Sequence, residues 1–284
     1  MLVFLNLFPT GMGLVEVEKS ISWPVLTIGP IMCVLAIQYR VAPDAPILVA
    51  HNREERFDRP SQAPRIQSGK PRVVCGIDKK AGGTWLGINQ YGLLVAVGNR
   101  PKAKVPAEPR SRGLLCRELL NCRTAREAAM LAAQELSTGQ YAGANYVCLD
   151  AKYGAVVYGG NHVEIVDLTP GLHILTNGDL DDPSDPRQQL VRRQLTLQRL
   201  DSAVLFLAVA SRTFSRRPDP AGRGGVVLVG KDFGTVSSTL VALGNKTQHC
   251  ILQYTNGPPC DHPYEDLSAL LRQVLSTERA SRKT

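Results

Sequence analysis

The chain has 284 residues, 44% hydrophobic and 20% charged, with a formal net charge of +8 and a pI near 9.2. That composition is ordinary for a globular protein whose core needs neither disulfides nor metal to fold. Seven cysteines, with no Cys-x-x-Cys and no His/Cys cluster of zinc-ligand spacing, exclude a secreted disulfide framework and a structural zinc site. They favour a reducing, cytoplasmic setting.

Residues 1–31 open with an apolar run broken by Pro9, Gly11 and Gly13 and followed by Glu16, Glu18 and Lys19. No basic residue precedes the run, so the charged start of a secretory signal is missing. No stretch of the chain approaches the ~20 apolar residues that span a bilayer. Three readings stay open: Met32 is the real start, residues 1–31 are a propeptide removed before Cys33, or they are a retained extension.

Residues 34–39 and 47–51 are short apolar runs with β-branched members, separated by a loop carrying Pro43 and Pro46. They predict two antiparallel strands. With the loop symmetric about Pro43, Tyr39 faces Ile47 and Cys33 faces Arg53. Directly opposed residues project to the same side of a sheet, about 5 Å apart at Cβ. A thiol beside a guanidinium is expected to have a lowered pKa.

Residues 57–72 read as loop, and residues 73–77, 84–88 and 93–97 as three further strands. Residues 112–120 and 124–136 read as helices, the second opened by Thr124 with Glu127 three positions on, a capping box. Short strands are predicted over 146–150, 155–158, 163–167 and 172–176. Asp185-Pro186 opens a helix expected to run to about Leu200, followed by another over 202–214. Residues 216–225 are a basic Pro/Gly loop, residues 226–229, 235–243 and 249–254 closing strands, and residues 266–277 a last helix. Blocks of strands alternating with blocks of helices predict an α+β fold with mainly antiparallel sheets, in one domain over residues 32–284.

Asn52-Arg53-Glu54-Glu55 resembles the Asn-Arg-Asp-Glu signature of the NRDE family (transport and Golgi organisation protein 2-like). The resemblance extends from the Met32-Cys33 start through Ala81-Gly82-Gly83-Thr84-Trp85-Leu86-Gly87, Ser111-Arg112-Gly113, Leu175-Thr176-Asn177 and Gly234–Thr239. That family is similar to N-terminal nucleophile (Ntn) cysteine hydrolases, and the resemblance implies their four-layer αββα sandwich. It also implies roles for individual residues. Cys33 is the candidate nucleophile, with its own α-amine as base if the mature chain begins there, and otherwise an unreactive thiol at a strand edge. Arg53 would hold a thiolate or an anionic part of a ligand, or make only a rim ion pair. Glu54 stands where the family has Asp, one methylene longer. Asn177 is the candidate oxyanion donor, with Asn99 a second, although Asn177-Gly178 is also a common turn pair. Asn52, Gly83, Thr84 and Trp85 are candidate ligand contacts, against a turn role for Asn52 and Gly83 and a core role for Trp85. Val236 occupies a position where the family commonly has Arg, so another arginine must substitute or the hydrolase site is incomplete. The histidines are scattered and form no triad.

Two functions remain. One is binding or trafficking of an anionic or apolar small molecule such as haem or an acyl-CoA or lipid, as the family's associations imply. The other is an Ntn-type amidohydrolase cleaving a small non-peptide C–N amide bond, with Cys33, Arg53, Glu54 and Asn177 as its catalytic set. No metal ligand set or cofactor signature is present. The basic runs, densest over residues 100–126, suit anionic small molecules or peripheral contact with a membrane surface. Aromatics make up 6% of the chain and are not interleaved with those runs, so nucleic-acid stacking platforms are not expected.

Overall fold

Residues 33–281 are described by a computed structural model. Whether Met32 is the start, and whether residues 1–31 are a propeptide or an extension, concerns the chain outside the described residues.

The first sheet contains β1 (Val34–Tyr39), β2 (Ile47–Arg56), β10 (Gly171–Leu175), β11 (Phe233–Leu243), β12 (Ile251–Thr255) and β13 (Glu265–Asp266). Its strand order is β10-β1-β2-β11-β12-β13. The second runs in sequence order through β3 (Ser61–Gln67), β4 (Val73–Asp78), β5 (Leu86–Asn89), β6 (Leu94–Asn99), β7 (Ala144–Leu149), β8 (Gly154–Gly159) and β9 (Val163–Asp167). Every ladder within the two sheets is antiparallel. Helices α1 (Arg112–Leu119) and α2 (Ala125–Ser137) join β6 to β7, and α3 (Pro186–Leu195) and α4 (Ala203–Phe214) join β10 to β11. Helix α5 (Ser268–Ser281) ends the described chain.

The apolar runs of β1 and β2 are continuous because both faces are covered. Leu35, Ile37, Ile47 and Val49 face the second sheet and meet Val74, Ile88 and Val147. Val34, Ala36, Leu48 and Ala50 face the other way, against Val191, Phe206 and Phe214 of α3 and α4. On the far side, Val95, Cys148 and Val157 pack under Leu115, Leu119 and Ala132 of α1 and α2. The result is the four-layer αββα sandwich, with Leu271 and Val274 of α5 closing the inter-sheet core. Each large side chain buried there contributes roughly 1.5–3 kcal/mol.

Three local expectations differ from the structure. Part of the expected loop over 57–72 is β3, an edge strand that tolerates Pro64 because its register shifts between Gln62 and Arg65. Residues 226–229 form no strand: the N–H groups of Val226 and Val227 both donate to the Arg216 carbonyl, leaving one isolated bridge from Val229 to Gly234. Helix α3 stops at Leu195, short of Leu200, because the backbone leaves helical geometry at its C-cap Thr196, whose hydroxyl also bonds the Arg192 carbonyl. The capping box at Thr124 and Glu127 is present.

Candidate functional site

The β1–β2 register runs from Tyr39 opposite Ile47 to Val34 opposite Asn52, as the symmetric loop requires. One step further sets Cys33 level with Arg53. On the other side β10 pairs Leu35 with Leu175, so two positions further on Cys33 comes level with Asn177. Because faces alternate along a strand, Cys33 and Arg53 turn to the inter-sheet side with Leu35 and Val49. Asn52 and Glu54 turn toward the helices.

That alternation divides the Asn-Arg-Glu-Glu signature between two environments. On the helix side, Asn52 is fully buried and donates from Nδ2 to the Phe214 carbonyl at 2.9 Å, tying β2 to the end of α4. Glu54 accepts through Oε1 from Arg187 Nη2 at 2.7 Å and from the Thr235 hydroxyl at 3.0 Å. Burial pushes its carboxyl pKa up, while Arg187 and those hydrogen bonds oppose the rise. Thr235 is placed for this bond where β11 departs from regular register, between Thr235 and Ser237. Val236 sits in that irregularity, and the guanidinium at Glu54 comes from Arg187 at the start of α3.

On the inter-sheet side a cavity of about 390 Å³ opens, within the size range of small-molecule sites. Cys33, Arg53, Thr84, Trp85 and Asn99 contribute to its wall, together with Glu55, Arg59, Asp78 and residues 109–113, and Glu54 borders it although its Oε1 is bonded to Arg187 and Thr235. Gly83 stands behind the wall, where a Cβ would come within 2.2 Å of the Gly113 carbonyl carbon. Arg53 is 4% exposed and lies over Trp85, with its guanidinium carbon 4.4 Å from the ring centroid. Its Nη2 is a long 3.4 Å from Glu55 Oε2, and its Nη1 is buried without a hydrogen-bond partner. Arg59 is held by Asp78 through two contacts of 3.2 and 2.6 Å.

Cys33 retains some exposed surface, yet desolvation of the sulfur pushes its thiol up to about 11, and the Glu54 charge adds to the rise. The Glu54 backbone N–H, Arg53 and Arg187 pull the other way and lose. The facing cation therefore does not make a thiolate by itself, contrary to what pairing alone suggests. A narrow apolar cleft runs on from Cys33 past Leu35, Ala96, Val147 and Thr176 to His51. His51 is 2% exposed, and burial lowers its pKa to about 3, so its ring is neutral.

Asn177 follows the end of β10 and is not among the residues lining the main cavity. Its neighbour Thr176 donates to the Asp185 carboxylate and accepts from Gln188 Nε2 at 3.1 Å, which binds the end of β10 to the start of α3. Among the described residues no cluster of three or more His, Cys, Asp or Glu could hold a metal, and no helix is long and apolar enough to cross a membrane.

The family model described as Transport and Golgi organisation 2 matches residues 32–202, more than half of the chain. The chain belongs to the Transport and Golgi organisation 2 family. A mouse protein named Transport and Golgi organization 2 homolog is 27% identical over 253 residues, covering 80% of this chain and 90% of the mouse protein. A bovine homolog is 28% identical over 251 residues with the same coverage. A human one is 29% identical over 211, covering 67% of this chain and 75% of its own. Among solved structures, the chain is similar to a Caenorhabditis elegans ortholog of N-acylethanolamine-hydrolyzing acid amidase (13% identity, TM-score 0.49, 73% of this chain and 92% of that one). It is also similar to conjugated bile acid hydrolase from Clostridium perfringens (11% identity, TM-score 0.45, 84% and 93%).

In this member of the Transport and Golgi organisation 2 family, sequence reasoning missed Arg59, Arg112, Arg187, Thr235 and His51 as parts of the site. His51 was within reach, because it lies two positions before Arg53 on one strand and so on the same face. Arg187 was not, since 133 residues separate it from Glu54.

Proposed function

We propose that the protein binds and carries a small molecule with an anionic group and an apolar remainder, of the haem or acyl-CoA and lipid kind, in the cavity between its sheets. One observation carries the reading: Arg53 is buried beside Trp85 with Nη1 unsatisfied, on the wall of a cavity large enough for a ligand group. A buried guanidinium donor without an acceptor costs about 1–3 kcal/mol or more, and an anionic ligand would remove that cost. The relatives' printed names, which speak of transport and Golgi organisation, suit a carrier, and a cytoplasmic setting suits seven cysteines that form no disulfide. Peripheral contact with a membrane would fit uptake of an amphiphile.

A second reading, an Ntn-type amidohydrolase, is favoured by Cys33 on the wall of the same cavity and on the same face as Arg53. It needs a chain beginning at Cys33, because the raised thiol pKa calls for a base and the α-amine would supply it.

Titration of the Trp23→Phe protein, in which Trp85 is the remaining tryptophan, with haemin, a long-chain acyl-CoA and a fatty acid tests the carrier reading. Saturable quenching is expected for at least one of them, weakened about tenfold by Arg53→Met and retained in Cys33→Ala. Turnover of small amides by a chain of intact mass beginning at Cys33, abolished by Cys33→Ala, would replace the carrier reading by the hydrolase.

A further inference from the structure

We infer that the start of α1 and Arg112, together with Arg53, form a subsite for a doubly charged tetrahedral oxyanion of the phosphate monoester type. The inference rests on the reading of the cavity as a ligand site and names the group that enters it first.

Ser111 is the N-cap of α1, and its side chain accepts from the Leu114 N–H. The N–H groups of Arg112 and Gly113 have no acceptor among the described residues. Ser111, Arg112 and Gly113 all line the cavity, so the positive end of an eight-residue helix opens into it. Such an end carries roughly half a unit of positive charge and directs free N–H groups at an anion. Its position is fixed by contact: the Gly113 carbonyl accepts from the Thr84 N–H at 2.9 Å, and at Gly83 there is no room for a side chain.

The independent observation is Arg53, nine-tenths buried on the same cavity, with Nη1 unsatisfied. The ion pairs around the cavity leave positive charge over. Arg59 is matched by Asp78, Arg110 by Glu135 at 2.6 Å and Glu54 by Arg187. Glu55 lies at a distance from both Arg53 (3.4 Å) and Arg59 (3.6 Å). Arg112 has no carboxylate partner among the described residues, and the one hydrogen bond of its side chain, from Nη1, goes to the Gly143 carbonyl at 3.0 Å. Two guanidinium groups and a helix end, served by one shared carboxylate, suit an anion of charge near two better than a monocarboxylate. Donors that come from a strand and from a helix also suit an oxyanion with acceptors in several directions, where a planar carboxylate offers two.

The test uses the full chain with Trp23→Phe and follows Trp85 emission at constant ionic strength. Inorganic phosphate should produce a saturable change, with acetate at least about tenfold weaker. Arg112→Met should weaken phosphate at least about tenfold, and Arg112→Lys should fall between, because it keeps the charge and loses the fork. Thermal melts establish that each variant is folded, and Arg112→Lys serves as the reference if Arg112→Met is not. Glycerol 3-phosphate and phosphatidylcholine vesicles containing phosphatidic acid then separate a soluble phosphate ester from a lipid headgroup. Binding of either supports the subsite, and binding of neither overturns it. Phosphate binding no tighter than acetate, or unchanged in both Arg112 variants, also overturns it. If haemin or acyl-CoA still binds in Arg112→Met without a preference for phosphate, only the subsite falls. If phosphate titrates and no amphiphile does, the carrier reading falls and the subsite stands.

Discussion

Arg187 reaches from the first turn of α3 to Glu54 on β2 and bonds its Oε1 at 2.7 Å, on the sheet face opposite Arg53. The pair is buried, with Glu54 side-chain exposure of 0%. Breaking a buried pair by removing one partner leaves an uncompensated charge and costs about 3–5 kcal/mol. Arg187→Met is therefore expected to lose that much in urea unfolding, and Arg187→Met with Glu54→Gln to recover part of it. A double variant no more stable than the single one would mean that Arg187 acts through its bond to the Val226 carbonyl, at 2.6 Å, and not through Glu54.

Trp85 serves both the core and Arg53. Its indole is 6% exposed and meets the inter-sheet cluster, while one face receives the guanidinium. Trp85→Phe should cost about 1 kcal/mol, the usual worth of a stacked cation with a modest loss of volume, and Trp85→Ala about 3–5 kcal/mol. Equal losses for the two variants in thermal melts would show that the ring contributes no more than its first carbons.

A thiol whose pKa is near 11 is ionised in only about one molecule in ten thousand at pH 7. Alkylation of Cys33 by iodoacetamide, followed by peptide mass spectrometry to resolve it from the other cysteines, should accelerate about tenfold per pH unit from pH 7 to 10. Arg53→Met removes a cation that favours the thiolate and should slow the reaction at each pH. A chain engineered to begin at Cys33 should react faster near pH 8, where the α-amine titrates. Rapid alkylation of the full chain at pH 6–7 would contradict the desolvated environment.

His173, on β10, places Nδ1 2.7 Å from Asp181 Oδ2 and Nε2 2.8 Å from the Thr169 carbonyl. Both partners are acceptors, so both nitrogens are satisfied only when the ring is protonated. Burial lowers its pKa, but the hydrogen bonds to Asp181 and Thr169 outweigh burial and leave it raised above 6.5. A raised folded-state value means that the contribution to stability is full below about pH 6.5 and is lost as pH climbs through the raised value. Asp181, whose pKa is lowered, contributes above its ordinary 3.8 and loses that contribution as pH falls through the lowered value. His173→Gln should thus be less stable than the parent by about 1 kcal/mol at pH 5.5, with the gap narrowing by pH 9. A gap independent of pH would leave only a packing role for the ring.

Much of this molecule could be read along the chain. Two apolar runs around a symmetric proline loop are enough to set Tyr39 against Ile47, because a hairpin transmits register from its turn. The same local logic anticipated most strands, the cap at Thr124 and the start of α3 at Asp185. It failed at β3, where an edge strand carries a proline, and at residues 226–229, whose amides are taken by Arg216.

The candidate site divides along the same line. That Cys33 and Arg53 share a face follows from strand alternation and needs no tertiary information. What surrounds them does not follow from it. The raised thiol pKa comes from packing between two sheets, the partner of Glu54 arrives from a helix 133 residues away, and Arg112 and Gly113 come to the wall of the cavity that Arg53 lines only once the chain has folded. Periodicity reports which way a side chain points, whereas desolvation and charge balance depend on every atom brought near, and those neighbours are chosen by the fold.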